Sequence, residues 1–261
     1  MQIVSHSNSQ DESTALYDEA FERRVIDWMA EFAGGVGHEL NNPLAIMSGY
    51  AQKLLKEETD KKKRLALASI IAQANRAYEM IADVRAFSRP PKPRLKPLEL
   101  ARFFEDWVAR ESNRTMSENA KIESEIVDVR ELEIETDEAI LAAILDAIGK
   151  NAAETTSGRN GNLYFFALRA IIEEQPEDDS ADPRTRRVLE IGVEDDGPGI
   201  SEEEARLIFA PFFSARQAGR GLGFGLPKAW RYAEALNARL LCEKSRRFET
   251  GMRCCVQIPL D

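Results

Sequence analysis

Nine residues, Arg89 to Pro97 (RPPKPRLKP), separate two kinds of sequence pattern in this chain. Three of the prolines fall within four residues, and each lacks the amide that a helix interior uses. No helix is expected to run through them, so this is the strongest boundary in the sequence. Before it, apolar residues recur every three to four positions. After it, they mostly alternate.

The first pattern places Phe21, Val25, Trp28, Phe32, Val36, Leu40, Leu44, Met47, Ala51 and Leu54 on one stripe, which predicts a helix over about residues 15–57. The charged stretch EETDKKK (Glu57–Lys63) reads as a turn. A second stripe at Leu67, Ile71, Ala74, Tyr78, Ile81 and Val84 predicts a helix that ends near Arg89. Two long amphipathic helices cannot bury both stripes as a lone hairpin. Four can, so a homodimer built as a four-helix bundle is expected.

Beyond Pro97, PLELARFFEDWVARES reads as a short strand entry and a helix, and KIESEIV and LEIET read as strands. DEAILAAILDAIGKNAAETT is a helix with Asp137 as its N-cap candidate. NLYFFALRAII and RRVLEIGVEDD are strands around the acidic loop EEQPEDDSADPRT. A Gly-rich stretch, a helix near Leu222–Leu236 and two last strands complete the set. The expected fold is α+β: a helical hairpin, then a two-layer α/β sandwich with a mixed sheet. The expected divisions are an unstructured start at 1–14, the hairpin at 15–89, a Pro-rich linker at 90–97 and the sandwich at 98–261.

Net charge is −10 with no basic stripe between aromatics, which argues against a nucleic-acid partner. The first residues are polar, unlike a signal peptide, and no apolar run approaches the roughly 20 residues of a membrane helix. A soluble, cytoplasmic chain is expected. Cys242, Cys254 and Cys255 lack the spacing of a zinc site. They are expected to be small buried apolar side chains in a reducing compartment.

Histidine is scarce: His6 and His38 are the only two. At about 100° per residue His38 stands about 200° from Val36, so on a helix it faces away from the apolar stripe. Glu39 is beside it and Asn42 is one turn on. EDDGPGI (Glu194–Ile200) follows an apolar strand and contains Asp195, Gly197 and Gly199, a pattern that by itself is usually only a turn. AGRGLGFGLPKAW (Ala218–Trp230) offers Gly219, Gly221, Gly223 and Gly225 before an apolar helix, where backbone amides can approach phosphates. Neither the Rossmann nor the Walker spacing is met. Asn151 interrupts an alanine-rich helix, and Phe209, Phe212 and Phe213 lie between the glycine clusters.

In this order the motifs resemble those of the sensor histidine kinases, from about Glu31 to Pro259. The resemblance implies a dimerisation and phosphotransfer domain, then an ATP-binding domain of the kind found in gyrase, heat-shock chaperone and mismatch-repair ATPases. It makes His38 the phosphoacceptor, Glu39 its general base, and Asn42 the residue that orients water when a partner is dephosphorylated. It makes Asn151 the Mg²⁺ ligand and Asp195 the acceptor for the adenine amino group, with Gly197 and Gly199 beside the base. Gly219, Gly221 and Gly223 become lid glycines, Arg216 stands where lysine is usual, and the three phenylalanines form the lid's aromatic box. Ala147 stands where a second asparagine is common. The implied ligands are ATP and Mg²⁺, and the implied partner is the receiver domain of a response regulator. Signal input is expected from a partner or from a region outside this chain. Two other readings stay open: a non-catalytic receiver-binding module, and a net phosphatase of the regulator.

Overall fold

The computed structural model describes residues 28, 35, 37, 39–115, 120–157, 160–174, 184–213 and 223–260; the first 14 residues fall outside these. The chain forms two compact units that divide between Arg89 and Pro90.

The first unit is a helical hairpin. Trp28, Gly35 and Gly37 are helical, and helix α1 covers residues 39–57, continuing on both sides of Pro43. The turn after it is held by side chains. Glu58 accepts from the Thr59 and Asp60 amides, each at 2.9 Å, and Arg64 donates to the Leu55 and Glu58 carbonyls. Asp60 then caps α2 (Lys61–Ser88) by accepting from the Lys63 amide, satisfying one of the orphan donors of a helix start.

The hairpin seam shares Leu44 and Ala51 with the expected α1 stripe and otherwise runs beside it. Gly37, Ser48 and Ala51 are buried, and Asn41, Leu44 and Leu55 are half-buried, on a line that steps alternately by four and three. A Cβ on Gly37 would stand 3.1 Å from Ile81 Cγ2, and Tyr78 donates its hydroxyl to the Asn41 carbonyl at 2.9 Å. Small residues let the two helices approach closely. Leu40, Met47 and Leu54, expected inside a four-helix dimer, are 45, 52 and 57% exposed on the single hairpin. On α2 the expected stripe does face α1, with Ala74 buried and Leu67, Ile71, Tyr78, Ile81 and Val84 half-buried.

The second unit holds β1 (Lys96–Glu99), α3 (Leu100–Thr115), β2 (Lys121–Val127), β3 (Glu133–Thr136), α4 (Glu138–Thr156), β4 (Asn162–Glu174), β5 (Arg184–Asp195), the one-turn α5 (Glu202–Ala205), α6 (Gly225–Ala235), β6 (Arg239–Lys244) and β7 (Met252–Pro259). The main sheet runs β2-β4-β5-β7-β6; β2 pairs β4 in parallel and the other pairs are antiparallel, so the sheet is mixed. A separate antiparallel pair joins β1 to β3, and its pairing begins at Lys96, within the Pro-rich segment.

Helix α4 runs through the middle of the core. Asp137 caps it, accepting from the Ala139 and Ile140 amides, and also holds the Arg94 amide at 2.8 Å. Those hydrogen bonds, Arg94's first, keep its carboxyl below the usual aspartate range. Ile140, Leu141, Ile144, Leu145, Ile148 and Ala152 recur at helical spacing and are buried against Leu163, Phe165, Ile191, Val193 and Val256 of the sheet. Trp107 of α3 closes one side, edge-on to Phe165 with ring centroids 5.0 Å apart.

The opposite face of the sheet is polar yet buried. Arg253 on β7 donates to Glu194 at 2.7 Å and to Glu190 at 2.6 Å, with its guanidinium 3.8 Å from the Phe166 ring centroid. Its Nε lies 3.5 Å from the Glu243 carboxylate, an ion-pair distance without hydrogen-bond geometry. Glu194 also accepts from the Ser245 hydroxyl and from the Arg246 and Arg247 amides. Burial raises the Glu194 carboxyl, but these hydrogen bonds together bring it below the usual range. Arg253→Met is expected to destabilise this unit by about 3–5 kcal/mol in urea denaturation, because two buried carboxylates lose their cation. A variant as stable as its parent would mean that the carboxylates find other partners.

Candidate functional site

The end of β5 delivers Asp195 into a slot it cannot leave. Asp195 is 2% exposed. Its Oδ1 accepts the Gly197 amide at 2.8 Å and the Met252 amide also hydrogen-bonds to the carboxylate, while the Thr155 side chain stands beside it with its hydroxyl donating to the Ala152 carbonyl at 2.7 Å. Burial dominates these contacts and pushes the carboxyl above the ordinary aspartate range. A buried carboxylate in this state gains from any further donor that reaches it.

Glycines shape the surroundings. A Cβ on Gly197 would overlap Asp195 Oδ1 and stand 3.1 Å from Thr155 Cβ. Gly199 has φ +73° and packs on Gly251, which has φ +113° and where any Cβ would collide with the Asp195 carbonyl. Side chains are therefore excluded on two sides of Asp195, where Thr155 and the backbone pack directly against it.

The other Gly-rich stretch meets the phenylalanines. Gly223, φ +68°, accepts the Phe212 amide at 3.1 Å, and a Cβ there would come within 2.5 Å of the Phe213 carbonyl. Phe212 itself has φ +66°, which is uncommon for a bulky residue. It lies edge-on to buried Phe224 at 4.7 Å and stays 63% exposed, while Phe209 stacks on Trp230 at 6.4 Å. Pro227 sits in the first turn of α6, where a missing amide removes no helix bond.

Asn151 is half-buried on α4, one turn before Thr155. This spacing puts Asn151 and Thr155 on the same side of the helix. Among the described residues no group of three or more His, Cys, Asp or Glu side chains could hold a metal ion. An amide oxygen supplying one ligand suits Mg²⁺, which takes few protein ligands and completes its shell with water and substrate phosphates. In the first unit Glu39 and Asn42 are exposed and share a side of α1 at i,i+3 spacing. His38, Arg216, Gly219 and Gly221 lie outside the described residues.

Residues 28–92 match the family profile of the His Kinase A (phospho-acceptor) domain. Residues 136–261 match that of the histidine kinase-, DNA gyrase B- and HSP90-like ATPases. The chain belongs to the histidine kinase family.

The chain is similar to the C4-dicarboxylate transport sensor protein DctB of Pseudomonas aeruginosa, with 25% identity over 96% of this chain and 39% of that protein. It thus spans well under half of that relative's length. Its fold resembles full-length ShkA, solved with AMPPNP, at a TM-score of 0.68 and 19% identity, over 88% of this chain and 46% of the other. It also resembles ThkA, solved with the response regulator TrrA, at a TM-score of 0.61 and 20% identity, over 94% of this chain and 66% of the other. No helix among the described residues is long and apolar enough to cross a membrane.

Three contributors to the Asp195 slot escape sequence reading: Thr155, the Met252 amide and Gly251. Thr155 carried a signal, since it sits one turn after Asn151. Met252 and Gly251 carried none, because only strand pairing brings residues so far along the chain beside Asp195.

Proposed function

We propose that this kinase transfers the γ-phosphoryl group of ATP to His38 and then to an aspartate of a response-regulator receiver domain. The observation that carries the reading is the buried Asp195 carboxylate, held above its ordinary pKa at the end of a core strand and packed against Gly197, where no side chain would fit. An adenine amino group is a donor of the right kind. Gly199 lets the backbone approach the base, and Gly219, Gly221, Gly223 and Arg216 belong to the lid over the phosphates. Asn151 would hold Mg²⁺, which when bound neutralises phosphate charge.

The chemistry asked of the first unit is simple. A neutral imidazole, with pKa about 6.5, is a competent nucleophile near neutral pH. One ring nitrogen of His38 bonds to the γ-phosphorus as the bond to the bridging oxygen breaks and ADP leaves. Glu39 takes the proton from the other ring nitrogen. Positioning supplies most of the acceleration in a transfer of this kind.

The active unit is a homodimer. Leu40, Met47 and Leu54 are exposed at seven-residue spacing on α1, and Tyr50 is exposed too. A single hairpin leaves this apolar face in water, whereas a second copy would cover it and close a four-helix bundle. Residues 15–89 serve as the dimerisation and phosphotransfer domain, 90–97 as the linker and 98–261 as the ATP-binding domain. A cytoplasmic location fits the proposed use of ATP. The receiver reading draws support from ThkA, whose structure was solved with a response regulator. Exposed Asn42, on the same side as Glu39, favours a second activity, dephosphorylation of that regulator by an oriented water.

The test is incubation with γ-labelled ATP and Mg²⁺, which should give acid-labile, alkali-stable label. A protein that binds no nucleotide and takes up no label would instead be a receiver-binding module.

Asp195→Asn separates recognition from folding. A hydrogen bond to a charged group contributes about 1.5–3 kcal/mol, so calorimetry should show ATP affinity falling about 10- to 150-fold. Stability should move the other way. A carboxyl with a raised folded pKa holds its proton longer in the folded state, so stability falls as pH rises from the unfolded to the folded pKa. Above that window the whole penalty is present, and the asparagine variant avoids it. Its melting temperature at neutral pH should equal or exceed the parent's. A variant that binds ATP as tightly as the parent would remove Asp195 from recognition.

A further inference from the structure

Cys242 and Cys254, expected as separate buried thiols, are joined by a disulfide. They are direct cross-strand partners on β6 and β7, with Cα atoms 4.3 Å apart, the close spacing of a non-hydrogen-bonded pair. β6 is an edge strand of the sheet and Cys242 is half-exposed, whereas Cys254 is buried. The third cysteine is kept out of the pair. Cys255 follows Cys254 along the strand, so its side chain points to the other face of the sheet. It is buried there, and burial pushes its thiol up to about 12.

The bonded pair stands at the back of the Asp195 slot. Cys254 is the register partner of Val193, and two residues before Cys254 the Met252 amide donates to the Asp195 carboxylate. Gly251 packs against the Asp195 carbonyl and Gly199. The Ser245 amide closes the β6–β7 turn on the Gly251 carbonyl at 3.1 Å, and Ser245, Arg246 and Arg247 all donate to Glu194. The disulfide thus ties together the two strands of a hairpin that forms one wall of the slot.

We propose that Cys242 and Cys254 are a reversible thiol–disulfide pair whose oxidation state sets how tightly this unit holds adenine nucleotide. The inference rests on the nucleotide reading above. In reducing compartments disulfides are transient and regulatory rather than permanent. The exchange needs only a small-molecule disulfide. The Cys242 thiolate attacks it and releases one thiol, giving a mixed disulfide. The Cys254 thiolate then displaces the second thiol and forms the protein disulfide, and the two protons lost by the cysteines end on the two released thiols. The cross-link restricts the hairpin to the geometry that presents the Met252 amide, so the oxidised form is pre-organised for ligand and the reduced form is looser.

The experiment compares the protein reduced with dithiothreitol against the same protein oxidised with glutathione disulfide. Thiol titration under denaturing conditions should count three thiols in the first and one in the second, as the three cysteines require. Calorimetry with ATP should show several-fold weaker binding in the reduced form. Cys242→Ser, at the half-exposed edge position, should match the reduced parent and ignore the oxidant; Cys242→Ala should behave alike if serine perturbs the strand. Equal ATP affinity in the two redox forms overturns the inference and leaves the nucleotide reading intact, as does a failure of the pair to oxidise. If neither form binds ATP, both fall.

Discussion

His38→Ala should take up no acid-labile label from γ-labelled ATP, while binding ATP as the parent does. The chain has only two imidazoles, and the other, His6, lies in the polar start. Gly37 and Glu39, on either side of His38, are both helical, and alanine is the strongest helix former, so the substitution removes the nucleophile without breaking the helix. The packing that fixes this stretch runs through Gly37 against Ile81, which the substitution leaves in place. Because the residues proposed to bind ATP belong to the second unit, nucleotide affinity serves as the control for folding. Label that persists in His38→Ala would sink the assignment outright.

Glu39→Gln should autophosphorylate about 10²–10⁴ times more slowly, the usual loss when a general base is removed. Glutamine keeps the size and helix propensity of glutamate but cannot accept the imidazole proton. Glu39 is exposed on α1, so its exchange should leave the unfolding free energy within about 0.5 kcal/mol of the parent's, as for other surface substitutions. Glu39→Asp, which keeps the carboxylate one methylene further back, should recover part of the rate. A parental rate in Glu39→Gln would show that another group takes the proton.

Chemistry was legible in this sequence where it depends on neighbours along the chain. The N-cap at Asp137, the buried stripe of α4 and the alternating strands all follow from spacings of two to four residues. On α1 the same logic gave one line where the helix carries two faces. Leu44 and Ala51 of the expected stripe lie on the seam with Gly37 and Ser48, whereas Leu40, Met47 and Leu54 lie beside it, and both rows obey the same period. Period tells that a face is apolar. It does not tell which partner covers it, and a helix that meets one neighbour within the chain and, in the proposed dimer, another beyond it carries two such faces.

By itself, then, the sequence determined the kinds of element and their order, and it supplied the proposed reactive groups: His38, Glu39, Asn151, Asp195 and the glycines around them. Tertiary structure decided which distant residues meet. Asp195 finds the Met252 amide, Arg253 finds Glu190 and Glu194, and Cys242 finds Cys254, all through strand register. Register is a long-range property, and a shift of one residue would turn Cys254 away and bring Cys255 to the inner face. Local periodicity is the same for either alignment, so only the packed sheet could choose between them.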